Sequence, residues 1–367
     1  MARKSPCKQT FSLIFDSSES GCSDRRFAGG IQIDPRKGRY TMNQKKLMAS
    51  CLLHIGSNMW RDKYAPIAVD DKWNSPNSHI GWSDSLRFDR EVFHHLTEEL
   101  PKLGIDTVLL DIGDGVRYDS HPEIGVCDAL TPDELRAEVR RLRKLGLNPV
   151  PKLNFSAAHD AWLGDYERML ATDIYRAVIG DLIHEICDIF EKPDYLHLGM
   201  DEETPSHQAA YGFSAVRGEE LWWKDFYHMV AVCERENTRP WIWSDYYWHH
   251  KESFLSKMPK TVLQSNWHYY QLRGERGDEG QNGVGWTTFF DLAERGYDQV
   301  PTTTTWDFST NTEQVIRGLA QAALPHMKGF MSASWMTTQP QNYYGILEDA
   351  DRLCRALKEY GAAFPHE

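Results

Sequence analysis

Apolar positions recur along this chain with two different periods, which alternate. One stretch shows the three-to-four-residue spacing of a helix with a single buried face. Its apolar positions are Val92, Phe93, Leu96 and Leu100. The dipeptide Leu103-Gly104 ends this helix, because glycine readily adopts the left-handed conformation that closes one. The apolar run at residues 107–110 then predicts a buried strand.

The same order recurs about forty residues later. The segment Thr131–Glu134 reads Thr-Pro-Asp-Glu, a capping box with proline at the first helical position. The apolar face that follows consists of Leu135, Val139, Leu142 and Leu145. Gly146 stops this helix, and extended structure resumes at residues 148–153. Two copies of helix, Leu-Gly and strand predict a βα repeat.

Eight apolar segments qualify as strands. They are residues 51–56, 107–112, 149–154, 195–199, 240–244, 262–266, 300–305 and 329–334. Eight strands that alternate with helices predict an α/β fold, a single (β/α)8 TIM barrel. The alternative is a doubly wound open sheet, which should carry an early glycine-rich phosphate loop. No GxGxxG or GxxxxGK[ST] sequence occurs.

The barrel prediction covers residues 42–367, and residues 1–41 are predicted to be disordered or loosely attached. This first segment is polar, rich in glycine, serine and arginine, and shows no apolar period. Met42 is an alternative start of the native chain, which N-terminal sequencing would test.

Composition narrows the classes of partner. The formal net charge of −12 argues against nucleic acid and against an anionic membrane surface, and no apolar run reaches the length of a membrane span. The seven cysteines are dispersed without a CxxC pair, which favours reduced thiols and a cytoplasmic location. The 13 Trp and 16 Tyr residues can fill a core or form platforms for sugar rings. Oligomeric state is left open.

The fourth predicted strand ends in three consecutive acids, Asp201, Glu202 and Glu203. Acids this close repel one another, so at least one should hold its proton near neutral pH. A protonated carboxyl beside an ionised one can protonate a leaving group. The alternative is that the acids only cap the next helix. Three acids exceed what a cap needs, and barrels keep their catalytic groups at the C-terminal ends of strands.

Other strand ends also carry polar and aromatic residues. Four of them carry a tryptophan, namely Trp243, Trp267, Trp306 and Trp335. Packing alone could use Leu or Ile, without an indole N–H to satisfy. Aromatic walls around carboxylates therefore predict a carbohydrate-binding pocket.

Metal-dependent hydrolysis and hydrolysis by a nucleophilic serine are the alternatives to carbohydrate chemistry at this site. A barrel amidohydrolase needs a closely spaced His pair on its first strand, which here has only His54, and no HExxH or GxSxG occurs. A divalent ion held by carboxylates is the weaker alternative. Its candidate ligands are Asp111, Asp114, Asp201 and Glu202. The prediction is therefore a site without metal or cofactor.

The segment His197–Glu202 reads His-Leu-Gly-Met-Asp-Glu and resembles the His-x-Gly-Gly-Asp-Glu signature of family 20 glycoside hydrolases, the β-N-acetylhexosaminidases. Residues 111–117 resemble that family's strand-two segment, in which an acid precedes a Gly-aromatic-Arg turn. Residues 151–155, with His159 after them, resemble its strand-three Pro-Glu-Ile-Asp-x-Pro-Gly-His, with Asn154 at the Asp position. The tryptophans on strands five, six and eight fall where the family builds its acetamido pocket.

The resemblance implies an exo-acting, retaining glycosidase that uses the substrate's own 2-acetamido group as nucleophile. Glu202 would be the general acid/base and Asp201 would orient and polarise the acetamido group. The substrate-binding candidates are Asp111, Asp114, Arg117, Asn154, His159, His197, Trp243, Asp245, Trp267, Trp306, Asp307 and Trp335.

Several positions depart from the family pattern. Met200 replaces the second glycine, and Glu203 is an additional acid, interpreted as a helix-start residue. Met336-Thr337 stands where the family has an acid that grips a sugar hydroxyl. The first strand also lacks the family's sugar-binding Arg. These departures predict an altered specificity, so the sugar stays open.

Two further alternatives remain at this stage. A protein carboxylate could serve as nucleophile on a sugar without an acetamido group, with Asp111, Asp245 or Asp307 as candidates. A non-catalytic carbohydrate-binding barrel is the other. The complete Asp201-Glu202 pair argues against it, because a mere binding protein does not need a buried acid.

Overall fold

The computed structural model describes residues 31–33, 40–42, 46–63, 81–209, 211–272, 280–306 and 308–365. The chain divides into two units, Met1–Lys45 and Lys46–Glu367. In the first unit, Ile31–Ile33 pairs antiparallel with Tyr40–Met42. The rest of the predicted extension lies outside the described residues, so its disorder stays a prediction.

The second unit contains eight short parallel strands. They are β1 Met48–His54, β2 Thr107–Asp111, β3 Asn148–Lys152, β4 Tyr195–His197, β5 Arg239–Trp243, β6 Leu263–Ser265, β7 Thr302–Thr303 and β8 Gly329–Ser332. Strands β1 to β6 pair in chain order, and β8 lies between β1 and β7. Isolated bridges from Gln264 to Gln299 and from Trp267 to Thr302 join β6 to the β7 region. The predicted (β/α)8 barrel is confirmed.

Within the described ranges, eight α-helices follow the strands in turn. They are α1 Arg90–Leu103, α2 Pro132–Lys144, α3 Asp173–Ile189, α4 Glu219–Arg235, α5 Tyr246–Lys257, α6 Gly280–Glu294, α7 Asn311–Gln321 and α8 Tyr343–Tyr360. Short 3-10 helices are Gly113–Gly115, Ala161–Met169, Pro340–Asn342 and Gly361–Ala363.

Two of the three helix boundaries predicted from sequence are confirmed by backbone angles and hydrogen bonds. Helix α1 ends at Gly104, whose φ of 120° lies outside the range that side chains favour. At the start of α2 both bonds of the capping box form. The Thr131 hydroxyl accepts from the Glu134 N–H at 3.2 Å, and the Glu134 carboxylate accepts from the Thr131 N–H at 2.9 Å.

Two apolar clusters hold the barrel. The inner one fills the space enclosed by the strands and includes Leu52, Leu109, Val150, Trp241 and Leu263. The larger one lies between the strands and the surrounding helices. In the part of the chain that the structure describes, no helix is both long and apolar enough to cross a membrane. The five described cysteines are free thiols, and the cytoplasmic location stays a prediction.

Candidate active site

A polar layer crosses the barrel below the candidate site. His54, Asp111, Lys152 and His197 occupy one register level on β1 to β4. Lys152 is fully buried and its Nζ donates to Oδ2 of Asp111 at 2.5 Å. His54 Nδ1 lies 3.5 Å from the same oxygen. Asp111 is thus committed to a buried ion pair.

The backbone after β4 turns sharply through three left-handed residues. The φ angles are 71° at Gly199, 77° at Met200 and 53° at Glu202. A Cβ atom at Gly199 would lie 1.9 Å from Oδ1 of Asn154, so only glycine fits there. Met200 keeps the backbone conformation that suits the glycine of the family signature, while its side chain is buried in the core. Strain of this kind clusters at functional sites.

Asp201 is oriented by a neighbour on the β3 loop. Its Oδ1 accepts from Nδ2 of Asn154 at 2.8 Å, and its backbone carbonyl accepts from the Ser156 hydroxyl. Oδ1 of Asn154 in turn accepts from the N–H groups of Ser156 at 3.1 Å and Met200 at 3.2 Å. The asparagine therefore fixes the Asp201 carboxylate and the strained turn together.

The Glu202 carboxylate lies between two imidazoles. Its Oε2 is 3.2 Å from Nε2 of His159, and its Oε1 is 3.4 Å from Nε2 of His207. Burial alone would raise the pKa of Glu202, but the hydrogen bond from His159 and the charges of both imidazoles hold that pKa below its usual value. The free carboxyl therefore favours its ionised form.

The carboxyl that holds its proton is on the next strand. Burial, followed by the charge of Asp201, raises the pKa of Asp245 well above its usual value. Asp245 Oδ2 accepts from the Glu202 N–H at 2.7 Å, and Oδ1 accepts from Nε1 of Trp267 at 3.1 Å. The sequence predicts that repulsion between neighbouring acids leaves one of Asp201, Glu202 and Glu203 protonated. In the structure, the carboxyl with the raised pKa is that of Asp245.

Glu203 is not a helix-start residue, and that interpretation is wrong. Helix α4 begins sixteen residues later, at Glu219. The buried Glu203 carboxylate accepts from Nε of Arg217 at 2.8 Å and from its Nη2 at 2.5 Å. Arg217 also contacts Asp225, 3.3 Å away, which pairs with Arg176 at 2.8 Å. This ion-pair network secures the loop that follows the catalytic candidates.

A pocket of about 710 Å³ opens above these carboxylates. Its lining comprises Trp60, His159, Asp201, Glu202, Trp267, Tyr269, Tyr270, Trp306 and Trp335. The rings of Trp267 and Tyr269 stack at 4.8 Å between centroids, and Trp60 meets Trp335 edge-on at 6.3 Å. The pocket thus combines aromatic walls with two carboxylates and an imidazole.

The pocket brings together six of the predicted site residues and adds three. The six are His159, Asp201, Glu202, Trp267, Trp306 and Trp335. Trp60, Tyr269 and Tyr270 were not among the predicted site residues. Tyr269 had a usable signal, because it lies two residues beyond Trp267 in an extended segment, where side chains alternate in direction.

Three predicted residues support the pocket from beneath. Trp243 is buried, with its ring 5.8 Å from that of Trp335 and 4.5 Å from that of His197. Nδ1 of His197 accepts from the Gly199 N–H at 3.0 Å, and burial keeps the pKa of His197 well below its usual value. A neutral His197 therefore holds the turn, as Asn154 does from the other side.

The remaining predicted residues lie elsewhere. Asp114 is buried, and its Oδ2 accepts a hydrogen bond from Nδ2 of Asn58 at 2.7 Å. Burial raises the pKa of Asp114 to about 7. Arg117 is exposed at the surface, outside the pocket lining. Asp307 lies outside the described residues.

Metal ligation by the four carboxylates considered from sequence does not fit this arrangement. Asp111 pairs with Lys152 and Asp114 with Asn58. Over the described ranges, one cluster of potential ligands places its atoms within 4.8 Å of one another, and it consists of His159, Asp201 and Glu202.

A second, polar cavity of about 410 Å³ lies beside Glu202 and shares it with the aromatic pocket. Its lining comprises Glu202, Glu203, Thr204, His207, Asp245, Tyr246, Trp248, His249 and His250. His207 reaches Glu202 from this cavity.

No protein-family model and no curated protein matches the sequence. Solved structures do match the fold. A GH20 exo-β-N-acetylglucosaminidase from Vibrio harveyi superposes with a TM-score of 0.56 at 14% identity, covering 88% of this chain and 57% of the other. A β-N-acetylhexosaminidase from Bacteroides fragilis gives 0.55 at 13% identity, over 85% of this chain and 66% of the other.

A third match is the GH20 β-N-acetylhexosaminidase from Streptomyces coelicolor, with a TM-score of 0.55 at 10% identity over 88% of this chain and 70% of the other. The chain therefore spans less than two thirds of the Vibrio and Bacteroides proteins. At these identities the likeness shows a shared barrel fold.

Proposed function

We propose that the protein is an exo-acting, retaining glycoside hydrolase that removes terminal 2-acetamido sugars, with Glu202 as acid/base and Asp201 as the polarising carboxylate. One observation carries the proposal. The adjacent carboxylates line an aromatic pocket, and each is oriented by a separate side chain, Asn154 for Asp201 and His159 for Glu202. The named activities of the three structural neighbours support the same reaction class.

The proposed reaction has two steps. In the first, the acetamido oxygen of the bound sugar attacks the anomeric carbon, while Glu202 gives its proton to the departing glycosidic oxygen. Because the pKa of Glu202 is lowered in the free protein, the reacting species is the fraction of the protein in which Glu202 has taken up a proton from solvent. Asp201, held by Asn154, accepts a hydrogen bond from the acetamido N–H. Its negative charge stabilises the positive charge that develops on the acetamido group. In the second step water attacks the cyclic intermediate and gives its proton to Glu202, so the acid is restored and the configuration is retained.

The protonation states favour the acetamido group over a protein carboxylate as nucleophile. Asp245 has a raised pKa and holds a proton near neutral pH, which makes it a poor nucleophile. Asp111 is committed to Lys152 below the pocket. Asp201, the remaining described carboxylate in the pocket beside Glu202, matches the polarising role.

The test is a panel of nitrophenyl glycosides with and without a 2-acetamido group, assayed with wild type, Glu202→Gln and Asp201→Asn. We expect hydrolysis of the 2-acetamido substrates, inhibition by an N-acetylglucosamine thiazoline, and a loss on the order of 10²–10⁴-fold in Glu202→Gln. Glu236→Gln is the matched control, because Glu236 also pairs with a histidine, His184, but on the surface.

Substantial activity in Glu202→Gln would contradict the assignment of the acid. Hydrolysis of sugars without the acetamido group, insensitive to the thiazoline, would favour a carboxylate nucleophile. Sugar binding by the wild type without any product would favour a carbohydrate-binding barrel.

A further inference from the structure

The atoms that face one another in the candidate active site have the spacing of a metal-ligand set. Nε2 of His159 lies 3.4 Å from Oδ2 of Asp201 and 3.2 Å from Oε2 of Glu202. In a tetrahedral zinc site with metal–ligand distances of about 2.0–2.1 Å, neighbouring ligand atoms lie about 3.3–3.4 Å apart. The two distances from His159 agree with this spacing, and all three ligand atoms lie within 4.8 Å of one another.

We propose that His159, Asp201 and Glu202 form a binding site for a transition-metal dication such as Zn²⁺, and that occupation of this site inhibits the enzyme. The inhibition rests on the proposed function, whereas the binding does not. The metal is an inhibitor in this proposal and takes no part in hydrolysis.

The donor set selects the class of ion. Imidazole nitrogen suits zinc, copper and nickel, whereas magnesium and calcium prefer a shell made only of oxygen atoms. One imidazole and two carboxylates neutralise a dication and leave a coordination position for water or a fourth ligand. Nε2 of His207 lies 3.4 Å from the other oxygen of Glu202 and is outside this ligand set.

Access and orientation also suit an ion. The site opens into the aromatic pocket, and the Glu202 side chain is 27% exposed, so a hydrated ion can reach it. Asn154 already orients Asp201, which leaves Oδ2 turned towards His159. Such outer contacts typically raise metal affinity 10–100-fold.

The outer shell is only partly built, which limits the affinity. Nδ1 of His159 is buried and has no hydrogen-bond partner within the described part of the chain. Metal-bound histidines usually donate this second N–H to a carboxylate or a carbonyl. We therefore expect a dissociation constant on the order of 1 µM, weaker than that of a structural zinc site.

Occupation would remove both catalytic functions at once. A cation on Oε2 of Glu202 occupies the oxygen that His159 contacts, and the carboxylate can no longer carry a proton to the leaving oxygen. Asp201, drawn to the same ion, can no longer accept the acetamido N–H. Zinc and substrate would therefore exclude each other.

The test is isothermal titration calorimetry of the full-length chain, freed of metal by dialysis against a chelator, with ZnCl2 and separately with MgCl2. We expect one zinc ion per chain and no magnesium binding. His159→Gln should weaken zinc binding about 100-fold or more, since outer-shell losses alone cost 10–100-fold, and Asp201→Asn should weaken it as well. Thermal unfolding would show that both variants are folded.

His184→Gln is the matched control. His184 also pairs with a glutamate, at 2.8 Å from Oε1 of Glu236, but on the surface and without the other two ligands of the proposed site. We expect its zinc binding to equal that of the wild type. In parallel, hydrolysis of the aryl glycoside should fall as zinc fills the site and return when chelator is added.

Zinc binding that is unchanged in His159→Gln would overturn the site, and so would equal binding of magnesium. Chelated protein that is inactive until zinc is added would overturn the inhibitory role, because the ion would then be a cofactor. Zinc binding that depends on His159 in a protein without hydrolytic activity would leave the site standing while the proposed function fails. Hydrolysis without such binding would do the reverse.

Discussion

The backbone N–H of Glu202 donates to Oδ2 of Asp245 at 2.7 Å, which joins the ends of β4 and β5 at the candidate acid. Glu202 adopts a left-handed backbone with φ of 53°, a conformation that is unfavourable for a residue with a side chain. The hydrogen bond from the Glu202 N–H to Asp245 helps to hold that strained conformation. The Glu202 side chain is then directed between His159 and His207.

The second imidazole should set the alkaline limit of activity. The proposed step needs Glu202 protonated, so the alkaline limb of the pH profile of kcat/KM follows the pKa of Glu202. The charge of His207 is one of the contributions that lower this pKa. In His207→Gln the pKa should therefore rise, and the limb should move to higher pH by about 0.5–1 unit, because a charge pair near 4 Å in water is worth about 1 kcal/mol.

The measurement is the pH dependence of kcat/KM on a nitrophenyl substrate from about pH 3 to about pH 7, a range that includes the region at and below the ordinary glutamate pKa of about 4.3. His249→Gln is the control, because His249 is exposed and lines the same cavity as His207, whereas the imidazoles whose charges lower the pKa of Glu202 are those of His159 and His207. An alkaline limb that stays in place in His207→Gln, or moves equally in both variants, would contradict the role given to His207.

The buried pair of Glu203 and Arg217 should be important for stability. Arg217→Met would leave the carboxylates of Glu203 and Asp225 buried without this partner, and breaking a buried pair in this way costs about 3–5 kcal/mol. The double variant Glu203→Gln/Arg217→Met should recover part of the loss, because one of the uncompensated charges is then removed.

Urea unfolding of the single and double variants measures these differences. Arg143→Met serves as the control, because Arg143 pairs with Glu191 at the surface, where such pairs contribute about 0–1 kcal/mol. If Arg217→Met lost no more stability than Arg143→Met, the network would not hold the loop after β4.

At position 200 we expect the glycine variant to be more stable than the alanine variant, which is the reverse of the usual order. Both substitutions remove the same buried side chain, but Met200 has φ of 77°, which glycine adopts without the cost of a Cβ atom. We therefore expect Met200→Gly to be more stable than Met200→Ala by about 1 kcal/mol.

The comparison pair is Leu196→Gly and Leu196→Ala, at a fully buried position on β4 with ordinary extended backbone. There the glycine variant should be the less stable of the two. Thermal unfolding of all four variants would decide the matter, and the same order at both positions would argue against backbone strain at Met200.

The barrel could be predicted from sequence because its signals are local. The capping box at Thr131, the stop at Gly104 and the apolar runs each concern a few neighbouring residues, and each corresponds to an element of the structure. The position of Asp201 and Glu202 at a strand end follows from the same local pattern. The alternation of strands and helices then places these acids at the C-terminal end of the barrel strands, where barrel enzymes keep their catalytic groups.

The partners of those acids depend on residues far away in the chain. Asn154 and Asp201 are hydrogen-bonded although 47 positions separate them in the chain, and Asp245 and Glu202 are separated by 43. Arg217, which pairs with Glu203, lies 14 residues after it. Which carboxyl holds a proton therefore depends on burial and on charges brought in from β3 and β5. Periodicity along the chain carries no information on such contacts, because only the closed barrel brings separate strand ends within hydrogen-bonding distance.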